Sequence, residues 1–473
     1  MQKSVLSEII RSLEKKEIRE LNKWLLSPAH NQRQDVIKLF EFLVKNLPNG
    51  DEGAEKTKAW KFVFPAEPYD DAYLRQVMYF LLKAIEEYLV FVDVANDKVQ
   101  YQLALSRIYR ERKLEKAYKQ AFRIGRESLE GQPLRDNYYL FNKFLFEKDY
   151  SQLVIKNAAA NLQETSDALE NWFMAEKLHL ALAMLAHRSV YKTATYDEGL
   201  FEAVLAYTQK KDLLDTPAIA AHYFAYMTTT NPTQENYFDD FEKIVLEGNE
   251  GSFKKSEMLD LYRIALNYCT AKVNQGNLDY SRRALNFYRR GVENGVLLEN
   301  NVMENNVITR YTFGNAVAFA LKIGEFDWAE QFIEKFQHYL DEKERNSIVN
   351  FNQSRVYFEK GDYSHAQRLL TQFEYDDMLF NIIAKTMLLK IYYETDEYDA
   401  FESLLESTRT YLQRKAALDA TRKASYKNMI SLMKKLLQLN IFSRAQKESF
   451  RELVQQTNPL AERDWFMKQL DRK

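Results

Sequence analysis

Along most of the chain, apolar residues recur at three- and four-residue steps, the period of a helix that buries one face. Val5, Ile9, Leu13, Leu21 and Leu25 predict a single helix over residues 3–26. Ser27-Pro28 ends it, because proline disfavours helical backbone at the residue before it. A second helix carries Val36, Ile37, Phe40, Leu43 and Val44 and stops at Pro48-Asn49-Gly50. Residues 48–55, rich in Gly, Asp and Glu, are the most loop-like stretch of the chain. A short helix with Ala59, Trp60 and Val63 runs into Phe64-Pro65. Asp70-Asp71 then cap a long helix through Leu74, Met78, Leu81, Leu82, Ile85 and Leu89. These elements predict an N-terminal helical unit over 1–95.

After about residue 98 the pattern becomes one of helix pairs. Gly324-Glu325-Phe326-Asp327-Trp328-Ala329, Gly361-Asp362-Tyr363-Ser364-His365-Ala366 and Asp396-Glu397-Tyr398-Asp399-Ala400-Phe401 share one form, with aromatic positions 37 and 35 residues apart. Lys113-Leu114-Glu115-Lys116-Ala117 and Lys148-Asp149-Tyr150-Ser151-Gln152-Leu153 repeat it earlier, 36 residues apart. In each, a helix ends, a small or polar turn follows, and an apolar residue packs. A small residue three positions on lets two helices approach closely. Residues 277–291 read as the second helix of another such unit.

This pattern resembles the tetratricopeptide repeat, whose period is about 34 and whose repeats each form two antiparallel helices. Tyr357, Gly361, Tyr363, Ala366 and Leu370 stand at the matching positions. The sequence departs from that family's pattern in two ways. Gln353-Ser354 replace the Leu-Gly pair of the first helix, and no proline occurs between Pro232 and Pro459. The chain as a whole also resembles uncharacterised bacterial helical-repeat proteins, which implies no function. The resemblance implies an all-α chain: a right-handed TPR-like α-solenoid of antiparallel helix pairs over 96–441, following the 1–95 unit. Residues 442–473, with Phe442, Phe450, Leu453, Trp465 and Phe466, then form capping helices, because a terminal repeat has no neighbour to cover its apolar face.

Composition agrees with that class. Only 13 Gly and 8 Pro in 473 residues are too few for the frequent turns of a sandwich or barrel. Hydrophobic content of 46% with 28% charged residues excludes a disordered chain. The one cysteine, Cys269, can form neither an intramolecular disulfide nor a thiolate zinc site, which favours a reducing compartment. With a charged N-terminus and no long apolar run, these features predict a cytoplasmic protein without membrane insertion.

Chemistry-bearing motifs do not emerge. No phosphate-cradling glycine loop, metalloprotease helix or nucleophile elbow occurs, and the six histidines are dispersed. The expectation is a non-enzymatic protein with no cofactor and no metal. Charge, by contrast, is segregated although the net charge is only −2. Arg107 to Arg126 hold eight basic residues against Glu111 and Glu115, and Arg409 to Lys435 hold eight against Asp419. Residues 374–406 hold nine acidic residues against Lys385 and Lys390. Within the first basic run, Lys116, Lys119, Arg123 and Arg126 form one helical stripe.

Two functional classes follow. In the first, the chain is a scaffold or adaptor for a protein or peptide partner, bound in a groove lined by the first helix of each pair. Equating Ala329, Ala366 and Phe401 places Asn315, Arg355 and Lys390 on that lining, suited to hold a peptide backbone or a carboxylate. In the second, the basic faces engage nucleic acid in a transcription-linked role. Residues 60–75 faintly resemble part of a winged-helix unit, but the helix that would read a groove also carries Asp70, Asp71, Glu86 and Glu87.

Overall fold

The computed structural model describes residues 4–47, 55–155, 161–210, 212–248, 251–300, 306–372, 378–414, 420–440 and 442–471. The loop-like residues 48–54, Glu374, Asp376 and Asp377 of the acidic run, and Lys415 and Asp419 of the basic run lie outside them. The described chain is all-α. The first helices are α1 (Val5–Ser12), α2 (Lys15–Leu26), α3 (Gln34–Asn46), α4 (Lys56–Val63) and α5 (Asp71–Asn96). Next come α6 (Lys98–Glu111), α7 (Glu115–Glu130), α8 (Asn137–Val154), α9 (Gln163–Val190), α10 (Phe201–Lys210), α11 (Pro217–Thr230) and α12 (Glu235–Lys243). Then follow α13 (Lys255–Asn274), α14 (Asp279–Glu293), α15 (Arg310–Lys322), α16 (Phe326–Phe336), α17 (Arg345–Glu359) and α18 (Tyr363–Gln372). The chain closes with α19 (Met378–Glu394), α20 (Tyr398–Arg414), α21 (Ala420–Leu437), α22 (Arg444–Gln456) and α23 (Arg463–Asp471). A two-residue antiparallel ladder pairs Glu299 with Val307 and Asn300 with Asn306. Among the described residues, no helix is long and apolar enough to cross a membrane.

The chain forms two compact units, residues 1–180 with 196–219 and residues 181–195 with 220–473. In the first, α1 to α5 share one core that includes Leu6, Leu21, Val36, Phe40, Trp60, Leu74 and Ile85. The single helix expected over 3–26 is instead two. Leu13 turns extended, and Glu14 opens α2 with a capping box in which its own N–H donates to Glu17 Oε2 at 2.7 Å. As expected, Asp70 caps α5, its carboxylate accepting from the Tyr73 N–H at 3.0 Å. Asp97 ends α5 and caps α6, accepting from the N–H groups of Val99 and Gln100.

Asp71, on the first turn of α5, ties that helix to α4. It accepts from Lys56 Nζ at 2.7 Å, from the Tyr69 hydroxyl at 2.9 Å, and from Arg75. Lys56 first, then Tyr69 and Arg75, hold its carboxyl down at about 2, against an ordinary 3.8. A depressed folded-state pKa contributes stability above the unfolded value, and that contribution is lost as pH falls from about 4 to 2. Asp71→Asn is therefore expected to lower the urea midpoint at pH 7 and to flatten its decline between pH 4 and 2. Parallel pH profiles for the two proteins would show that the tie carries no weight.

The helix pairs share one closing device. The backbone N–H groups of Leu114, Asn277, Glu325, Asp362 and Glu397 donate to the carbonyls of Tyr109, Lys272, Ala320, Tyr357 and Tyr392, each five residues earlier, at 2.8–3.1 Å. The residue before each donor is left-handed: Lys113, Gly276, Gly324, Gly361 and Asp396, with φ between 59° and 96°. This is the Schellman geometry that satisfies the last carbonyls of a helix. Gly324 and Gly361 adopt it without a Cβ penalty, and Asp396 belongs to a residue type that tolerates it. The expected turn at 148–153 is absent, because these residues continue α8. Asp149 there accepts from Arg110 Nε at 2.8 Å instead, so its polarity serves an ion pair and not a turn.

Candidate partner-binding surface

Within the second unit, α15, α17 and α19 are the first helices of three consecutive pairs, and they carry Asn315, Arg355 and Lys390. Ala329 and Ala366, on the second helices α16 and α18, are fully buried, and Phe401 is equally buried at the matching place on α20. Small residues there let each pair close, and at the matching place the larger Phe401 packs against Tyr393, their rings 5.9 Å apart.

Asn315 is exposed on α15 and hydrogen-bonds the hydroxyl of Tyr288, whose pKa burial raises. Half-buried Arg355 donates through Nη1 to the Gly314 carbonyl at 2.9 Å and to Asn352 Oδ1 at 3.3 Å. Burial pulls the Arg355 guanidinium down to about 10, opposed by Glu359 and Glu462, so it remains cationic at neutral pH. Lys390 is only 8% exposed. Its Nζ donates to Glu462 Oε2 at 2.8 Å and lies 4.8 Å from the centre of the Phe358 ring.

Of the three residues, only Asn315 is open. Lys390, which alignment puts on an open lining, faces the C-terminal segment. A lysine so far removed from water needs a carboxylate partner, and Glu462 supplies it. Arg355 is likewise committed to a backbone carbonyl across the α15–α17 contact.

One turn further along α19, Glu394 accepts from Trp465 Nε1 at 2.8 Å, from Gln469 Nε2 at 3.0 Å and from the Tyr363 hydroxyl. Glu462, Trp465 and Gln469 stand at i, i+3 and i+7, one face of α23 and the residue before it. That spacing, set against Lys390 and Glu394 at i, i+4, is the signal in the sequence for this latch, but nothing local names its partner. Glu462 also has a left-handed backbone, with φ of 59°, where a residue with a Cβ is strained. Phe450, Trp465 and Phe466 join the core of this region. Phe442 does not, being 92% exposed.

The basic stripe on α7 is exposed but largely neutralised. Lys119 pairs with Glu115 at 2.6 Å, Arg123 with Glu127 at 3.5 Å, and Arg126 with Glu147 at 3.4 Å, while Lys116 stands beside them. Glu127 falls just outside the basic window, and only folding brings the more distant Glu147 of α8 to α7. A stripe so paired presents much less positive potential to a phosphate backbone than its cation count suggests.

His222 is buried, with Nε2 3.2 Å from Glu257 Oε1. Exposed His365 holds Asp362 at 2.7 Å beside the start of α18. Cys269 is fully buried on α13, and burial pushes its thiol up to about 12. A thiol so rarely ionised is a poor nucleophile. Ellman's reagent is expected to titrate one thiol per chain in guanidinium and to react at least about a hundredfold more slowly with the native protein. Rapid native labelling would contradict this burial.

No protein-family model, curated protein or solved structure matches this chain.

Proposed function

We propose that this protein is a tetratricopeptide-like α-solenoid, closed by its C-terminal helices, that serves in the cytoplasm as a non-enzymatic scaffold or adaptor for a protein or peptide partner. The shared Schellman turns and the buried small residues of α16 and α18 support the repeat reading. The observation that carries the binding reading is the row Asn315–Arg355–Lys390. There, Arg355 and Lys390 are committed within the fold, and the amide of Asn315 is the exposed polar group. An exposed amide both donates and accepts, so this end of the row suits the backbone of an extended peptide. The nucleic-acid alternative is weakened by the paired state of the α7 stripe.

The test is an affinity capture by the tagged full-length protein from its native cytoplasm, with and without nuclease and at low and high salt. It is run beside Asn315→Trp, which blocks the open end of the row at an exposed position. A stoichiometric protein that survives nuclease and is lost with Asn315→Trp supports the reading. Loss of everything on nuclease treatment would transfer the assignment to nucleic acid, and retention by the variant would remove the row.

A further inference from the structure

α20 and α21 enclose a crevice of about 520 Å³. Its lining repeats one spacing on both helices. Glu402, Leu405, Glu406, Arg409, Leu412 and Gln413 come from α20, and Lys427, Ile430, Ser431, Lys434 and Leu437 from α21, with Gln438 just past its end. Each set falls at i, i+3, i+4, i+7, i+10 and i+11, a single face about 16 Å long. Buried Leu405, Leu412 and Ile430 make an apolar floor. The rims differ in charge. α20 contributes Glu402 and Glu406, with Arg409 Nε held by Glu406 at 2.6 Å. α21 contributes Lys427 and Lys434, both exposed and about 10 Å apart along the helix. The described part of α21 holds Arg422, Lys423, Lys427, Lys434 and Lys435 and no acidic residue.

We propose that this crevice is a docking site for an amphipathic helix of a partner protein. That helix is about three turns long, with an apolar stripe on the floor, acidic residues along the α21 rim and basic residues along the α20 rim. Three features of the crevice select this occupant. Two neighbouring helices with matched faces form the seat that a third helix fills in ridge-and-groove packing. The length accommodates three turns. The opposite signs of the rims fix which flank of the guest lies on which side, and hence its direction, because a reversed helix would set like charges together. The crevice shares no residue with the Asn315 row, so the proposal stands or falls independently of that reading.

The probe is a fluorescein-labelled 14-residue helical peptide with leucines at i, i+3, i+4 and i+7, glutamates on one flank and lysines on the other. It is titrated by anisotropy into the full-length protein. The control has the same composition and leucine stripe, with charges alternating on both flanks. The two-sided peptide is expected to bind at least tenfold more tightly than the control. K427E/K434E, which changes two exposed side chains and therefore preserves the fold, is expected to weaken it tenfold or more. The same variant is expected to favour a peptide with lysines on both flanks.

Equal affinity for probe and control, indifference to K427E/K434E, or no saturation by 1 mM would overturn the proposal. So would a concentration-dependent dimer that K427E/K434E abolishes, which would make the crevice an interface between copies of this chain. Displacement of anilinonaphthalene sulfonate equally by both peptides would leave only a cavity for small apolar molecules.

Discussion

Glu394→Ala is expected to lower the unfolding free energy of the unit formed by residues 181–195 and 220–473 by about 2–3 kcal/mol, the range for removing a charged acceptor and leaving its donors unmet. The carboxylate accepts from three side chains on two other helices, Trp465, Gln469 and Tyr363. Trp465 and Gln469 are themselves buried, 7% and 9% exposed, so their donors have little water to turn to once the acceptor is gone. The loss should concentrate in α23. Hydrogen exchange is expected to accelerate in residues 463–471 well before it changes in α15 or α16, and the first guanidinium transition should move to lower denaturant. Glu394→Gln keeps an acceptor oxygen and should lose only about 1–2 kcal/mol, the difference between a charge-assisted and a neutral hydrogen bond. Unchanged exchange in α23 would show that apolar contacts alone hold the C-terminal segment.

Phe401→Ala should produce an effect of similar size by a different mechanism. Phe401 is fully buried among Ile382, Leu389, Leu405, Leu412 and Met429, in the core that also takes in Trp465 and Phe466. Truncating a phenylalanine in such a core removes about 3–5 kcal/mol, part from lost transfer energy and part from the cavity left behind. The equivalent positions of the two preceding pairs carry alanine, so Phe401→Ala also tests whether the third pair can close as they do. A loss below about 1 kcal/mol with a shifted Tyr393 would mean that the pair collapses onto the smaller residue. A full loss would mean that α19 and α20 are held at the spacing Phe401 sets. Denaturant titration followed by the near-ultraviolet signal of the aromatic core separates these outcomes.

Both predictions depend on contacts far apart in sequence, and the limits of the sequence reading have the same cause. The all-helical class is legible in the three- and four-residue steps of apolar residues. The hairpin turns at Gly324, Gly361 and Asp396 are legible because a left-handed helix end needs a particular residue type at one position. The turn expected at Lys148-Asp149-Tyr150 failed on the same local logic. A lysine-aspartate-tyrosine string is polar whether it ends a helix or faces a neighbouring one, and Arg110 decided which. The break at Leu13-Glu14 was missed because apolar spacing continues across it while the Glu14–Glu17 capping box interrupts the backbone.

The candidate site shows the same division. Helical phase alone places Asn315, Arg355 and Lys390 along successive first helices, since a side chain's direction follows from its position in the turn. Whether such a side chain meets water or a carboxylate depends on what the rest of the chain brings to it. Glu462 lies 72 residues after Lys390, and no local pattern marks the two as partners. The α7 stripe likewise reads as basic until Glu147 of the next helix packs against it. By itself, the sequence determined the helical class and those helix ends that caps, prolines and left-handed turns mark, because these depend on hydrogen bonds and apolar faces within a few turns. Only the tertiary structure decided which charges are open and which are spent, because electrostatic partnership is set by distance in space and by exclusion of water.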